Sequence, residues 1–221
     1  MPRYILVASG KGGTGKTTIA INLALAASKM GHEVGLVDCD FCAPNAHLIM
    51  GLPEERLKDV GGLLKPPRVN GVEFMSVAVA FPRGVGLAWS HDKVVDMLRA
   101  LIKFVNWSCE YLFIDMPPSS IDVNVELLKM IGHVSRGVLV GEPHRFALED
   151  NLRMLDLMRL YDVDVRAIIL NKCGLYPGED DAVRLYSELK VRTFKVPFSP
   201  DLAIRPQPDL GVWHEILKVV L

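Results

Sequence analysis

The stretch Gly10-Lys11-Gly12-Gly13-Thr14-Gly15-Lys16-Thr17 decides the fold. It meets the spacing G-x-x-x-x-G-K-[ST], with an apolar run before it and a helical run behind it. Tyr4-Ile5-Leu6-Val7-Ala8 reads as a buried strand ended by Ser9-Gly10. A helix is predicted from about Thr17 to Met30, with Gly31 placed to stop it. Glycines let such a loop curl so that successive N–H groups point inward, assisted by the positive end of the following helix. That is a cradle for phosphate oxygens. Lys16 is placed to reach β- and γ-phosphates, and the Thr17 hydroxyl to ligate Mg²⁺. The candidate nucleotide-binding residues are therefore Gly10, Lys11, Gly12, Gly13, Thr14, Gly15, Lys16, Thr17 and Thr18.

Outward from the loop, apolar runs alternate with helical stretches. Val34 to Val37 is a second strand, closed by Asp38, and Phe41 to Pro67 is mixed, with short helical pieces. Val72 to Ala80 reads as strand, and Ser90 can cap a helix reaching about Val105. Further strands are expected at Tyr111–Ile114, ending at Asp115, at Gly137–Gly141, at Val165–Leu170, ending at Asn171, and at Thr193–Val196. Helices are expected at Val123–Met130, Ala147–Leu160, Ala182–Leu189 and Val212–Leu221. Continuously apolar strands alternating with helices imply an α/β fold, doubly wound, with a mainly parallel sheet covered by helices on both faces. The absence of a repeat or a Gly/Ser/Pro-rich linker implies a single nucleotide-binding domain over residues 1–221.

Composition narrows the function classes. The 221 residues are 50% hydrophobic and 23% charged, which suits a globular chain with a sizeable core. The net charge is −1 and Lys and Arg are scattered, so direct binding to nucleic acid or an anionic membrane is not expected. Ile19 to Ala27 is far shorter than the roughly 20 residues of a bilayer span. Met1-Pro2-Arg3-Tyr4 shows no signal-peptide pattern, and four cysteines do not make a disulfide scaffold. A cytoplasmic location is the expectation.

In open α/β sheets the ligand sits outside the carboxyl ends of the strands. Asp38 and Asp115 close two of them. An aspartate after four apolar residues is costly to bury unless a cation or hydrogen bonds hold it. Magnesium supplies that reason.

Lys11 is not required by the general pattern, and Lys11-Gly12-Gly13-Thr14-Gly15-Lys16-Thr17 resembles the KGGxGKT loop of the deviant Walker-A ATPases. That group contains MinD, ParA, Mrp and the nitrogenase iron protein. The resemblance implies ATP/ADP and Mg²⁺ as cofactors and a homodimer with the nucleotide at its interface. Lys11 would then cross to the partner's phosphates as an electrostatic finger, joining Lys16 and Asp40 as catalytic residues. Asp38-Cys39-Asp40-Phe41-Cys42-Ala43-Pro44-Asn45 is similar to the group's first switch, which implies that Asp40 positions the attacking water and Asp38 holds magnesium through water. The segment from Asp115 through Met116-Pro117-Pro118-Ser119-Ser120-Ile121 to Asp122 resembles DTPPGTxD of the Mrp branch, with Ser119 in the glycine's place. It implies Asp115 as a further magnesium residue, so that Thr17, Asp38, Asp40 and Asp115 form the metal set, while Asp122 reads as a cap or loop residue. Glu142 to Asp150 is similar to the stretch that opens a family helix and reads as structural. Asn171 matches the group's adenine-recognising asparagine, and Pro197 a backbone position near the base.

The implied activity is slow, partner-stimulated ATP hydrolysis that gates a dimeric switch. In the Mrp branch this serves iron–sulfur cluster carriage or assembly. Carriers of that branch place a Cys-x-x-Cys late in the chain, where this sequence has only Cys173. Cys39 and Cys42 form a different Cys-x-x-Cys, able to bind metal or act as a redox pair, or simply to pack. A MinD- or ParA-like positioning ATPase and a small-molecule kinase or ligase on the same fold are the alternatives. The protein client is unidentified.

Overall fold

Along Arg3–Ala8 (β1), Ile5 and Val7 point to one face of a sheet and Tyr4, Leu6 and Ala8 to the other, all buried. A strand apolar on both faces needs cover on both, and the rest of the chain supplies it. The computed structural model describes residues 2–52, 59–60, 63–80, 89–118 and 121–221. Lys16–Lys29 (α1) leads to Val34–Asp38 (β2) and Ala46–Met50 (α2). The short strands Asp59–Val60 (β3), Leu63–Leu64 (β4) and Arg68–Val69 (β5) precede Val72–Ser76 (β6). Val77–Ala80 (α3) and His91–Lys103 (α4) lead to Tyr111–Asp115 (β7), Ile121–Ile131 (α5) and Ser135–Gly141 (β8). Arg145–Leu160 (α6), Asp164–Cys173 (β9), Glu179–Ser187 (α7), Arg192–Pro197 (β10), Pro200–Ile204 (α8) and Gly211–Val220 (α9) complete the order.

The main sheet runs β10-β9-β8-β1-β7-β2-β6-β5, parallel throughout except for the β5–β6 pair at one edge. Ile5, Val7, Phe113, Val138 and Ile169 pack against α1 and α9, where Trp213, Ile216, Leu217 and Val220 are fully covered. Leu6, Ile114, Leu139 and Ile168 pack against α4, α5 and α6 through Leu98, Leu127 and Leu155. The expected doubly wound fold and C-terminal helix are both present, and that helix packs on the sheet. Each fully buried Leu or Phe of these layers contributes about 1.5–3 kcal/mol through removal of apolar surface from water.

The strand predicted over Val72–Ala80 is corrected. It ends at Ser76, whose hydroxyl oxygen accepts from the Ala78 N–H at 3.3 Å, and Val77–Ala80 turns into a short helix. A local serine-to-backbone bond outweighs the β propensity of Val77 and Val79. Strand β9 continues past Leu170 to Cys173, so Asn171 lies within it. The Ser119 and Ser120 positions lie outside the described residues. Among the described residues no helix is long and apolar enough to cross a membrane.

Candidate functional site

Parallel order places β1, β2 and β7 side by side with their carboxyl ends at one edge, and the residues that close them meet there. The loop leaving β1 folds over this edge. Its first glycine is fixed by close approach: a Cβ on Gly10 would stand 2.0 Å from the Asp150 carbonyl oxygen of α6. The Gly10 N–H donates to Asn151 Oδ1 at 2.8 Å, and Asn151 Nδ2 in turn donates to the Val140 carbonyl and the Tyr186 hydroxyl. At the other end Gly15 takes φ +87° as the N-cap of α1, a conformation that glycine alone adopts freely. A Cβ there would also meet Asn171 Nδ2 at 2.3 Å.

An open cleft of about 240 Å³ lies against the loop, with Lys11, Lys16 and Thr17 on one side and Asp40 and Pro118 on the other. Lys16 is buried beneath it and donates to Asp115 Oδ1 at 2.5 Å. Asp38 and Asp115 stand directly opposite each other in the β2–β7 register, each 1% exposed. Asp38 Oδ1 accepts from the Asp40 N–H at 2.9 Å and Oδ2 from the Ser76 hydroxyl at 3.2 Å. Burial, and after it the neighbouring Asp115 carboxylate, push Asp38 up to about 7. Asp115 Oδ2 is buried and takes no hydrogen bond among the described residues. The Thr14 hydroxyl is likewise buried and unpartnered there.

Two buried carboxylates thus stand side by side with one ammonium, Lys16, which pairs with Asp115 alone, and Asp115 Oδ2 takes no hydrogen bond among the described residues. Leaving a buried carboxylate oxygen unpaired costs several kcal/mol on the ε scale of an interior, unless a cation comes to it. Thr17, half-buried at the cleft, and the two aspartates offer oxygen donors only, the hard-ligand chemistry that magnesium prefers. The residues fit the ion. Among the described residues no three of His, Cys, Asp or Glu form a group able to hold a metal, so Asp38, Asp40 and Asp115 are not brought together as one carboxylate cluster.

The other sequence-predicted residues divide. Lys11 is exposed at the cleft, and its ammonium takes no ion pair or hydrogen bond among the described residues. Asp40 faces the loop, and its Oδ1 accepts from the N–H groups of Cys42 at 3.1 Å and Ala43 at 3.0 Å, which shapes the segment after β2. Asn171 sits behind the loop rather than in the cleft wall, donating to the Thr14 carbonyl at 2.8 Å. Pro197 is exposed at the end of β10, paired with Cys173. Thr18 has turned into α1, where its carbonyl accepts from Asn22 Nδ2 at 2.8 Å. Cys39 is buried, and burial followed by the Asp38 charge holds its thiol well above the ordinary value, while Cys42 is exposed. Cys39 packs in the buried layer that holds Val37, Phe41 and Leu98.

Several residues of the site escape the sequence reading. Asn151 had a signal: a polar residue on the buried stripe of α6, between Leu148 and Met154. Glu142 and Lys172 had none. Lys172 Nζ donates to Gly13 O at 2.7 Å and to Glu142 Oε1 at 2.5 Å. Burial works to raise the Glu142 carboxyl, but hydrogen bonds from Lys172 and His144 outweigh it and hold the group below its usual value. His144 also caps α6, accepting from the Ala147 N–H at 3.2 Å.

The family profile described as ParA, NUBPL iron-transfer P-loop NTPase, matches residues 1–197. An iron–sulfur cluster carrier protein of Deinococcus radiodurans is 32% identical over 169 residues, covering 76% of this chain and 48% of that protein. The chain spans about half the length of the curated relatives it matches. Among solved structures, a nucleotide-binding protein of Archaeoglobus fulgidus in complex with ADP superposes with a TM-score of 0.74 at 25% identity, over 96% of this chain and 86% of that one. The septum site-determining protein MinD of Pyrococcus horikoshii, complexed with Mg-ADP, gives 0.72 at 20% identity, over 100% and 95%. The latter likeness is one of fold.

Proposed function

The chain belongs to the family of NUBPL iron-transfer P-loop NTPases, and we propose that it is a magnesium-dependent ATP-binding switch that hydrolyses ATP slowly and acts in the carriage or assembly of iron–sulfur clusters. One observation carries the nucleotide half of this reading. Asp38 and Asp115 lie buried opposite each other, the single ammonium beside them, Lys16, pairs with Asp115, and Asp115 keeps a buried oxygen without a partner among the described residues. This is a charge deficit shaped for a divalent cation beneath a phosphate-binding loop.

Lys16 and the loop amides hold the β- and γ-phosphates, and the Thr17 hydroxyl would ligate the ion, with Asp38 and Asp115 holding its waters. Bound there, magnesium would neutralise charge on the phosphates. Asp40, half-buried at the cleft, orients the attacking water. Lys11, exposed and with its ammonium unpaired among the described residues, reaches the phosphates of a second copy, so ATP bridges a homodimer and hydrolysis releases it. Asn171, with its donor committed to Thr14, offers its amide oxygen to an amino group such as that of adenine. Pro197 borders the base.

Asp40→Ala tests the switch. The variant is expected to bind ATP as the parent does, to lose turnover by at least about 100-fold, and to elute as a dimer with ATP and as the parent species with ADP. Turnover at the parent rate sinks the assignment. For the cargo, support comes from the names of the relatives, and the test is anaerobic reconstitution with iron and sulfide. A coloured, nucleotide-responsive protein is expected; one that stays colourless with its partner copy and nucleotide present removes carriage from the reading.

A further inference from the structure

Strand β9 is irregular where it passes the loop. Leu170 pairs with Lys195 and Cys173 with Pro197, so Asn171 and Lys172 together oppose Val196 alone. This is a bulge, and Lys172 within it takes φ +61°, the left-handed region that a residue with a Cβ disfavours. On a regular strand neighbouring side chains point to opposite faces. Here both reach the same loop: Asn171 Nδ2 donates to Thr14 O at 2.8 Å and Lys172 Nζ to Gly13 O at 2.7 Å.

The consequence follows from peptide geometry. In a trans peptide the carbonyl of one residue and the N–H of the next point in opposite directions. Drawing the Gly13 and Thr14 carbonyls toward β9 therefore turns the N–H groups of Thr14 and Gly15 away from it, and both residues line the cleft. Lys172 is itself held: Glu142, 4% exposed, takes its ammonium at 2.5 Å and is fixed in turn by His144 Nε2 at 3.1 Å. A solvated lysine would need neither the bulge nor the buried partner.

We infer that Lys172 is a positioning residue of the nucleotide site, with Glu142 as its anchor: the pair fixes the curl of the phosphate loop so that its amides meet the β-phosphate. The inference rests on the reading of the loop as a nucleotide site. Since the amides concerned serve a phosphate common to both nucleotides, the pair aids ADP and ATP alike and takes no part in the attack on the γ-phosphate.

Calorimetric titration of the full chain with Mg-ADP and Mg-ATP tests it, in the parent, Lys172→Met, Glu142→Gln and the double variant. Lys172→Met is expected to weaken both nucleotides about tenfold, the effect of losing one charge-assisted hydrogen bond, with the number of sites per folded chain unchanged. In turnover the loss falls on KM, with kcat within about twofold. Glu142→Gln is expected to weaken binding less, and the double variant no more than Lys172→Met alone, because Glu142 acts through Lys172. Lys172→Arg, which keeps the cation, recovers most of the affinity. Should Lys172→Met fold poorly, Glu142→Gln carries the comparison by itself. Parent-like affinity in Lys172→Met or Glu142→Gln, or fully additive losses, overturns the inference while the loop's role stands. A parent chain that takes neither nucleotide overturns the underlying reading instead.

Discussion

Buried acids stand at both ends of the sheet, and they are treated differently. At the amino ends of β2, β6 and β7, Glu73 is 6% exposed and its carboxylate is fully engaged. It accepts from Arg68 at 3.2 Å, from the Ser108 N–H at 3.0 Å, and from the Ser108 hydroxyl. At the carboxyl ends of β2 and β7, Asp38 and Asp115 are buried deeper and face each other; Asp38 takes one bond on each oxygen, while Asp115 has Lys16 on one oxygen and no partner on the other among the described residues. A satisfied buried charge is part of the scaffold; an unsatisfied one marks where a ligand completes the structure. The contrast separates a staple from a site without appeal to any motif.

Removing Lys16 should break the contrast most severely. Lys16→Ala leaves two carboxylates facing each other without a cation, which costs roughly 3–5 kcal/mol for a buried pair deprived of one partner. Nucleotide affinity should fall by at least about 100-fold, since a phosphate contact is lost as well. Denaturant unfolding together with nucleotide titration checks both. A variant as stable and as retentive as the parent would mean that the pair is not strained for charge.

Asp38 sharpens the comparison through pH. Its folded-state pKa, near 7, lies above the ordinary 3.8, so the folded chain binds the proton more tightly than the unfolded one. Its contribution to stability is therefore full below about pH 4 and is lost as pH rises toward 7. Asp38→Asn should remove that slope and raise the nucleotide-free unfolding free energy at pH 8 by roughly a few kcal/mol. The same change should weaken magnesium-dependent nucleotide binding. Stability and affinity moving in opposite directions is the signature of a site rather than a staple. Should Asn at this position lower stability at pH 8, the carboxylate is satisfied after all.

Glu73 gives the smallest effect and the control. Glu73→Gln should cost roughly 1–3 kcal/mol, because Arg68 and Ser108 lose a charged acceptor. Nucleotide affinity should stay within about twofold. A large loss of affinity would show that the two ends of the sheet are coupled, and the distinction between them would fail.

Much of the site was legible because its signals are local. The loop occupies eight consecutive residues, and Asp38 and Asp115 each follow an apolar strand that fixes where they emerge. The two packing layers follow from alternation along β1. The supports were not legible, because they join distant parts of the chain: Asn151 meets Gly10 across 141 positions and Lys172 meets Gly13 across 159. No window of sequence contains both partners. The bulge that aims Lys172 is equally invisible, since it exists only in the register of β9 against β10. At Ser76 the local reading was misled, because a valine-rich run hid a serine that bonds its own backbone.

The central claim is that the paired aspartates and the glycine-rich loop form one incomplete site, finished by magnesium and a nucleoside triphosphate. Calorimetric titration of Mg-ATP into the purified chain, repeated with a chelator present, tests it most directly. The account predicts saturable heat with one nucleotide per chain, and an affinity at least about tenfold weaker without magnesium. No heat in either titration, from a protein that unfolds cooperatively, would contradict it.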